Sequence, residues 1–346
     1  MKMQSRLLLF ILLFFHLSCS TTQRGEDADR PIRIAFYNVE NLFDLEDDPA
    51  TLDEDFTPTG KQEWTQERYQ TKLSRIHEVV KGMHYPALLG LSEIENSKVL
   101  ADLSETGGMA AKGYQFAHFD SPDKRGIDVA LLYQKKLFKV KNSSYLRLDF
   151  PLKVIPDEPG YTSRDILIVE GEISKKSTVY VFVVHWPSRR GGLVKSEPKR
   201  VFVASQVRNK IDELAQLNPD AQFIVMGDFN DETTNKSVAR TLEAYPLPTT
   251  PNRTRLYNCF SKLDKENQGS YNYRGDWNML DQIILSGHFF EAENALKFRS
   301  ANIFKEEFLL YQDEKHGARP NRTYGGPNYY GGYSDHLPVF IELDAN

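Results

Sequence analysis

Residues 223–231 read F-I-V-M-G-D-F-N-D: an oily run stops at a glycine and releases Asp228, Asn230 and Asp231. An acid and an amide two apart on extended chain point to the same side. Such a pair at a strand end suits a phosphate or a metal ion. Other polar groups sit at comparable places. Asn38 and Glu40 follow I-R-I-A-F-Y in Y-N-V-E-N, Glu93 follows A-L-L-G-L in L-S-E-I-E, and His185 closes V-Y-V-F-V-V. Asp281 precedes Q-I-I-L, and Asp335-His336 precede L-P-V-F-I. Any one of these alone reads as an ordinary strand terminator, because Asp, Asn and Gly favour turns. Their joint occurrence is what carries weight.

The elements that must position them are short apolar runs, nearly continuous rather than alternating, so both faces of the strands are covered. In an antiparallel sheet the start of one strand meets the end of its neighbour. Groups at both kinds of end therefore gather on one rim, as a mouth of carboxylates, amides and histidines. Two helices are expected. One runs from about Gln66 to Met83 with Tyr69, Leu73, Ile76, Val80 and Met83 along one stripe. The other starts at Ser196 as N-cap, with Pro198 in its first turn and Val201, Ala204, Val207, Ile211 and Leu214 inward. Many strands with few helices imply two sheets packed face to face with helices outside, in one domain spanning 31–346.

The N-terminus is a separate matter. Lys2 and Arg6 precede an apolar run from Leu7 to Leu17, ending at L-S-C-S. This is the form of an export signal over 1–19, with Cys19 placed as the lipidated first residue of a bacterial lipoprotein. Residues 20–30 are polar and unpatterned and read as a tether. The protein is expected to be exported, as a monomer, held at the bacterial cell envelope by that anchor alone or else periplasmic or secreted. With Cys19 lipidated, Cys259 has no disulfide partner and reads as a small buried hydrophobe. The formal net charge is −5. Removing Lys2 and Arg6 takes it to about −7, which argues against tight sequence-independent duplex binding but not against a local phosphate site. The acidic stretch from Asp44 to Asp55 has Pro49 where a calcium-binding EF-hand loop needs glycine, and reads as a solvated loop.

Taken in order, Y-N-V-E-N, L-S-E-I-E, the strand-ending His185, G-D-F-N-D, L-D-Q-I-I and Y-S-D-H-L-P-V resemble the motifs of the endonuclease/exonuclease/phosphatase superfamily, from about Ile32 to Leu343. The resemblance implies a DNase-I-like four-layer α/β sandwich: two mainly antiparallel sheets flanked by helices. It implies Mg²⁺ or Mn²⁺ held by Glu93, with Asn38, Glu40 and Asp335 on the metal side. Asp228 would orient or deprotonate the attacking water, and Asn230 would hold water or phosphate. His336 would contact the scissile phosphate with Asp281 as its partner, and His185 would stand near the leaving oxygen. Ser92 replaces the Gln usual before the glutamate, and Glu95 is a competing ligand behind Glu93. Substrate-facing candidates are Arg189 and Arg190 after His185, Arg319 and Arg322 among the tyrosines before Asp335, and more remotely Arg125. The activity implied is phosphodiester hydrolysis, foremost by a nuclease acting on DNA or RNA. A phosphomonoesterase or phospholipid-headgroup hydrolase shares the same chemistry, and a non-catalytic binding lipoprotein is the reading from another class.

Overall fold

Two βαβ units organise the chain. In the computed structural model, which describes residues 31–173 and 177–345, β1 (Ile32–Leu42) runs parallel to β2 (Leu88–Ile94), with α1 (Gln66–Gly82) in the connection. The leader, Cys19 and the tether lie outside the described residues. The first sheet has six strands, in spatial order Leu296–Ile303 (β12), Val339–Ala345 (β13), β1, β2, Asp128–Gln134 (β4) and Tyr114–His118 (β3). The second has seven: Phe138–Leu146 (β5), Ile166–Ile173 (β6), Ser177–His185 (β7), Gln222–Asp228 (β8), Asp281–Ser286 (β11), Leu256–Asn258 (β10) and Ala244–Tyr245 (β9). There β7 and β8 repeat the parallel plan across α2 (Leu193–Leu217). Apart from the short β9–β10 edge, the remaining neighbours are antiparallel.

Three apolar layers follow from strand alternation. Ala35 and Tyr37 of β1 face α1, with Leu73, Ile76 and Val80. Ile34 and Phe36 face the other way, into the seam between the sheets, where they join Ile224 and Met226 of β8. Phe223 and Val225 face α2 through Ala204, Val207 and Ile211. Helix, sheet, sheet and helix thus stack in four layers. Cys259 is buried and unpaired.

Local chemistry explains the helix ends. The Thr65 hydroxyl caps α1 by accepting from the Arg68 N–H at 3.4 Å, and the whole expected stripe is buried. The start of α2 differs from the sequence reading. Gly191 and Gly192 have φ of 83° and 109° and let the chain turn into helix at Leu193, one turn before Ser196. Ser196 is therefore inside the helix, its hydroxyl donating to the Gly192 carbonyl at 2.7 Å. Val203, not Val201, takes the inward position. The acidic loop also differs. Asp44 and Asp53 are buried and accept backbone N–H groups of Glu46 (2.7 Å) and Asp48 (3.1 Å), so they brace the loop rather than face water.

The last residue of F-I-V-M-G-D-F-N-D belongs to the frame and not to the mouth. Asp231 is buried, with Arg200 Nε of α2 at 2.7 Å and the Ser237 hydroxyl at 2.5 Å. Arg200→Met should leave that buried carboxylate with only the more distant Arg189 guanidinium, at 3.8 Å, and destabilise the fold by about 3 kcal/mol. Adding Asp231→Asn should recover much of the loss. Urea unfolding of the single and double variants measures it, and an unchanged midpoint for Arg200→Met would contradict the assignment.

Candidate active site

Register brings the polar strand ends together. On β8, Asp228 lies opposite Asp281 of β11 on one side and His185 of β7 on the other. Residues aligned across neighbouring strands project to one face. Alternation from Ile224 and Met226 makes that face the seam between the sheets. Gly227 lets β7 come close: a Cβ there would meet the Val184 carbonyl oxygen at 2.1 Å. From the facing sheet, Asn38 continues the alternation of Ile34 and Phe36, and its Nδ2 donates to Asp228 Oδ2 at 3.1 Å. The Asn230 N–H donates to Asp228 Oδ1 at 2.9 Å, while its side-chain amide donates to the Trp186 carbonyl at 3.0 Å.

His336 arrives from the segment before β13. Its Nδ1 lies 2.6 Å from Asp281 Oδ2, and its Nε2 stands 3.8 Å from Asp228 Oδ2. The backbone on both sides of the pair is fixed by serines: Ser270 accepts the Asp281 N–H and Ser334 accepts the His336 N–H, each at 3.0 Å. The Ser334 hydroxyl then donates to the Asn38 carbonyl at 2.7 Å, and the Tyr271 ring lies 4.9 Å from the His336 ring.

Burial sets the protonation of the group. It opposes the His336 cation, but Asp281 and then Asp228 outweigh it and hold the pKa well above the ordinary value. Burial pushes Asp228 up to about 7, against the pull of His336 and with the push of Asp281. His185 goes the other way. Burial, then Arg164 and Arg125, hold it well below its ordinary value, so it is a neutral imidazole at neutral pH, with Nε2 3.5 Å from Asp228 Oδ2.

The residues expected beside a metal sit on irregular strand. Regular alternation would send Glu93 toward α1 with Leu89 and Leu91. Instead the β1–β2 register shifts between Asn38 and Leu42, and the β2–β4 register shifts between Ser92 and Ile94. Glu40, Asn41 and Glu93 take φ of 52°, 57° and 63°, and Asn230 takes 50°. The two glutamates cost about 1–2 kcal/mol each in this region, which asparagine tolerates better, so the bulges re-aim side chains at some expense in stability. Glu93 Oε2 accepts the Asn41 N–H at 3.0 Å.

Glu40, expected beside the metal, spends both oxygens on protein. Oε2 accepts the Thr323 N–H at 2.6 Å, and Oε1 faces Arg322 at 3.3 Å. Arg322 also meets Asp335 Oδ2 at 3.1 Å. Below them Lys72 is buried, its Nζ donating to Thr323 Oγ1 (2.6 Å) and the Tyr333 carbonyl (2.8 Å). Burial and then Asp335 push Glu40 up to about 7, against Lys72 and Arg322. Glu40 is thus corrected to an anchor for residues 322–323. Glu93 Oε1 and Asp335 Oδ1 make no hydrogen bond among the described residues, and Asn38 Oδ1 accepts the Glu40 N–H at 3.0 Å. This oxygen donor set fits a hard divalent cation such as Mg²⁺ or Mn²⁺. Ligand atoms of Asp228, Asp281 and His336 also fall within 4.8 Å of one another. The 2.6 Å His336–Asp281 contact makes those two partners of each other.

The arginines divide. Arg189 is a loop pin, donating to the Asn230 carbonyl (2.8 Å), Asn278 (3.2 Å) and Asn235 (3.2 Å), which corrects its reading as a substrate ligand. Arg190 is exposed on a cavity wall. Arg319 pairs with Asp313 at 2.8 Å, yet lines a cleft with Arg322, Tyr329 and Tyr330. Glu95 is turned from the mouth and accepts the Asp44 N–H at 2.5 Å. Lys72, Ser270, Tyr271 and Ser334 were not anticipated. Only Lys72 left a signal, as a cation on the buried stripe between Tyr69 and Ile76.

Two helix-covered sheets with acids, amides and imidazoles at one end of their seam define a DNase-I-like sandwich. Solved structures share it. An endonuclease/exonuclease/phosphatase family protein from Bacteroides thetaiotaomicron aligns with a TM-score of 0.56 at 17% identity, over 92% of this chain and 99% of that one. A mannosyl-6-phosphatase of Bacteroides thetaiotaomicron VPI-5482 gives 0.56 at 18%, over 90% and 99%. TDP2 of D. rerio, complexed with single strand DNA product, gives 0.54 at 15%, over 92% and 100%. A search of curated proteins finds no match. Residues 33–345 match the model of the Endonuclease/Exonuclease/phosphatase family, and the chain belongs to that family. Its superfamily members are phosphoester hydrolases.

Asp281→Asn removes the strongest group holding a proton on His336. A raised imidazole pKa keeps the cation up to alkaline pH, and losing Asp281 lowers it. The alkaline limb of the kcat/KM profile should therefore move to lower pH by about one unit or more, with kcat down about 10²-fold. An unmoved limb would contradict the role given to the pair.

Proposed function

We propose that the protein is a divalent-metal-dependent phosphodiester hydrolase, using Mg²⁺ or Mn²⁺, and that its substrate is a nucleic-acid strand. The observation that carries the hydrolytic reading is the His336 imidazole, held by Asp281 at 2.6 Å and set 3.8 Å from the Asp228 carboxylate. A base and a cation fixed side by side in a buried seam suit proton removal from water beside a charged phosphate. Glu93, with Asn38 and Asp335, would hold the cation, which supplies charge stabilisation at the phosphate oxygens. Asp228 takes the proton of a water whose oxygen bonds to phosphorus. His336 donates from Nε2–H to a non-bridging oxygen, and Asn230 orients water or phosphate through its amide oxygen. The bond from phosphorus to the leaving oxygen breaks on the His185 side, and that oxygen gains a proton from solvent.

The nucleic-acid reading is supported by the cleft of about 440 Å³ that Arg319, Arg322, Tyr329 and Tyr330 line on the Asp335 side. Guanidinium groups suit phosphate oxygens, and tyrosines stack on bases. The DNA product complex of TDP2 on this fold agrees with it, whereas the mannosyl-6-phosphatase supports a phosphomonoester as the second reading. Export and a lipid anchor at Cys19 rest on the leader sequence, which has the charged start, apolar run and small residue of such signals.

The protein freed of its leader should nick plasmid DNA with Mg²⁺ and lose that activity in EDTA. Asp228→Asn should lower kcat on a simple aryl phosphodiester by about 10²–10⁴-fold. Equal rates for variant and parent would remove the hydrolytic assignment. Phosphate release from a sugar phosphate, with no cleavage of DNA or RNA, would replace the substrate and keep the mechanism.

A further inference from the structure

A cavity of about 660 Å³ opens beside the His185 end of β7, lined in part by Pro187 and Ser188. Its walls gather Lys124, Arg125, Arg164, Arg190, Lys195 and Lys199 in a chain whose formal net charge is −5. Its two acids are already engaged. Asp123 pairs with Arg164 at 3.0 Å and Arg125 at 3.4 Å, and Glu158 pairs with Lys199 at 2.7 Å. Lys124, Arg190 and Lys195 are exposed and meet no carboxylate among the described residues.

Beneath these exposed cations the cleft has a buried one. Arg164 is 5% exposed; it donates to Asp123 Oδ2 and, at 2.7 Å, to the Trp186 carbonyl, while its Nε has no hydrogen-bond partner. Thr162 Oγ1, on the same wall, has none either. The cleft also connects to the reacting groups. The Trp186 carbonyl accepts from Arg164 and, at 3.0 Å, from Asn230, so one oxygen joins the cationic wall to the Asp228 site.

We infer that this cleft receives a second phosphate of the substrate, on the His185 side of the phosphate that is hydrolysed. The inference rests on the phosphodiester reading above. Two sources offer this chemistry: the next phosphate along a nucleic-acid strand, and an extra phosphate on a compact polyphosphorylated molecule.

The test is binding in EDTA, where no turnover occurs, read by anisotropy of a labelled single-stranded oligonucleotide and by competition with inositol hexakisphosphate. The variant Lys124→Gln/Arg190→Gln/Lys195→Gln changes exposed side chains only. It should raise Kd for at least one probe by about tenfold. For the strand, the slope of log K against log salt should flatten by about 2. Loss confined to the strand identifies the first source, and loss confined to the inositol phosphate identifies the second. An equal charge change at Lys135, Lys136 and Lys139, which line another cavity, should leave both Kd values within about twofold. The inference is overturned if the parent binds neither probe, if the cleft variant binds both as the parent does, or if the control weakens binding equally. Binding that depends on the cleft, together with no metal-dependent hydrolysis, would instead bring down the hydrolytic reading alone.

Discussion

A carboxylate buried between two sheets has to be satisfied from both, and Asp228 ties the structure together on those terms. It is 2% exposed. The Asn38 amide comes to it from the first sheet and the Asn230 N–H from its own chain, while His185 and Asp281 flank it in register. His336 completes the arrangement from the loop before β13. Displacing either sheet would leave several of these groups unpaired in a low-dielectric seam, where isolated charge is costly. The mouth is therefore as rigid as the packing of the two sheets behind it.

That packing also explains where irregular backbone is tolerated. The strands are regular through Phe36, Leu91 and Met226, where their side chains fill the apolar layers. Left-handed residues appear just beyond, at Glu40, Asn41, Glu93 and Asn230. The βαβ units hold the regular part, and their stability offsets the local cost. A second polar layer lies around Glu40, where Lys72 reaches the Thr323 hydroxyl and the Tyr333 carbonyl from α1 and Glu40 grips the Thr323 N–H. The loop carrying Arg322 is thereby fastened to both the helix and the first strand.

Much of this was legible in the chain because strand ends are marked twice, by the end of an apolar run and by a polar residue. Asp228, Asn230, Asp281 and His336 were singled out that way and lie together at one end of the seam, and the stripe of α1 is buried as expected. What was not legible depends on partners distant in sequence. Asp231 looks like a mouth residue until Arg200, far along the chain, takes it into the core. Arg189 looks free until the 230–235 loop folds over its guanidinium. Glu40 looks like a ligand until Thr323 and Arg322 occupy it. The early start of α2 was obscured because two glycines in a row read as loop, although their positive φ is what launches the helix.

The same seam holds the His336 pKa above and the His185 pKa below the ordinary imidazole value. Titrating ¹⁵N-imidazole chemical shifts in histidine-labelled protein tests it directly. His336 should remain doubly protonated through neutral pH while His185 remains neutral, with Asp281→Asn releasing the His336 proton earlier. Two histidines titrating together near the ordinary imidazole value would contradict it.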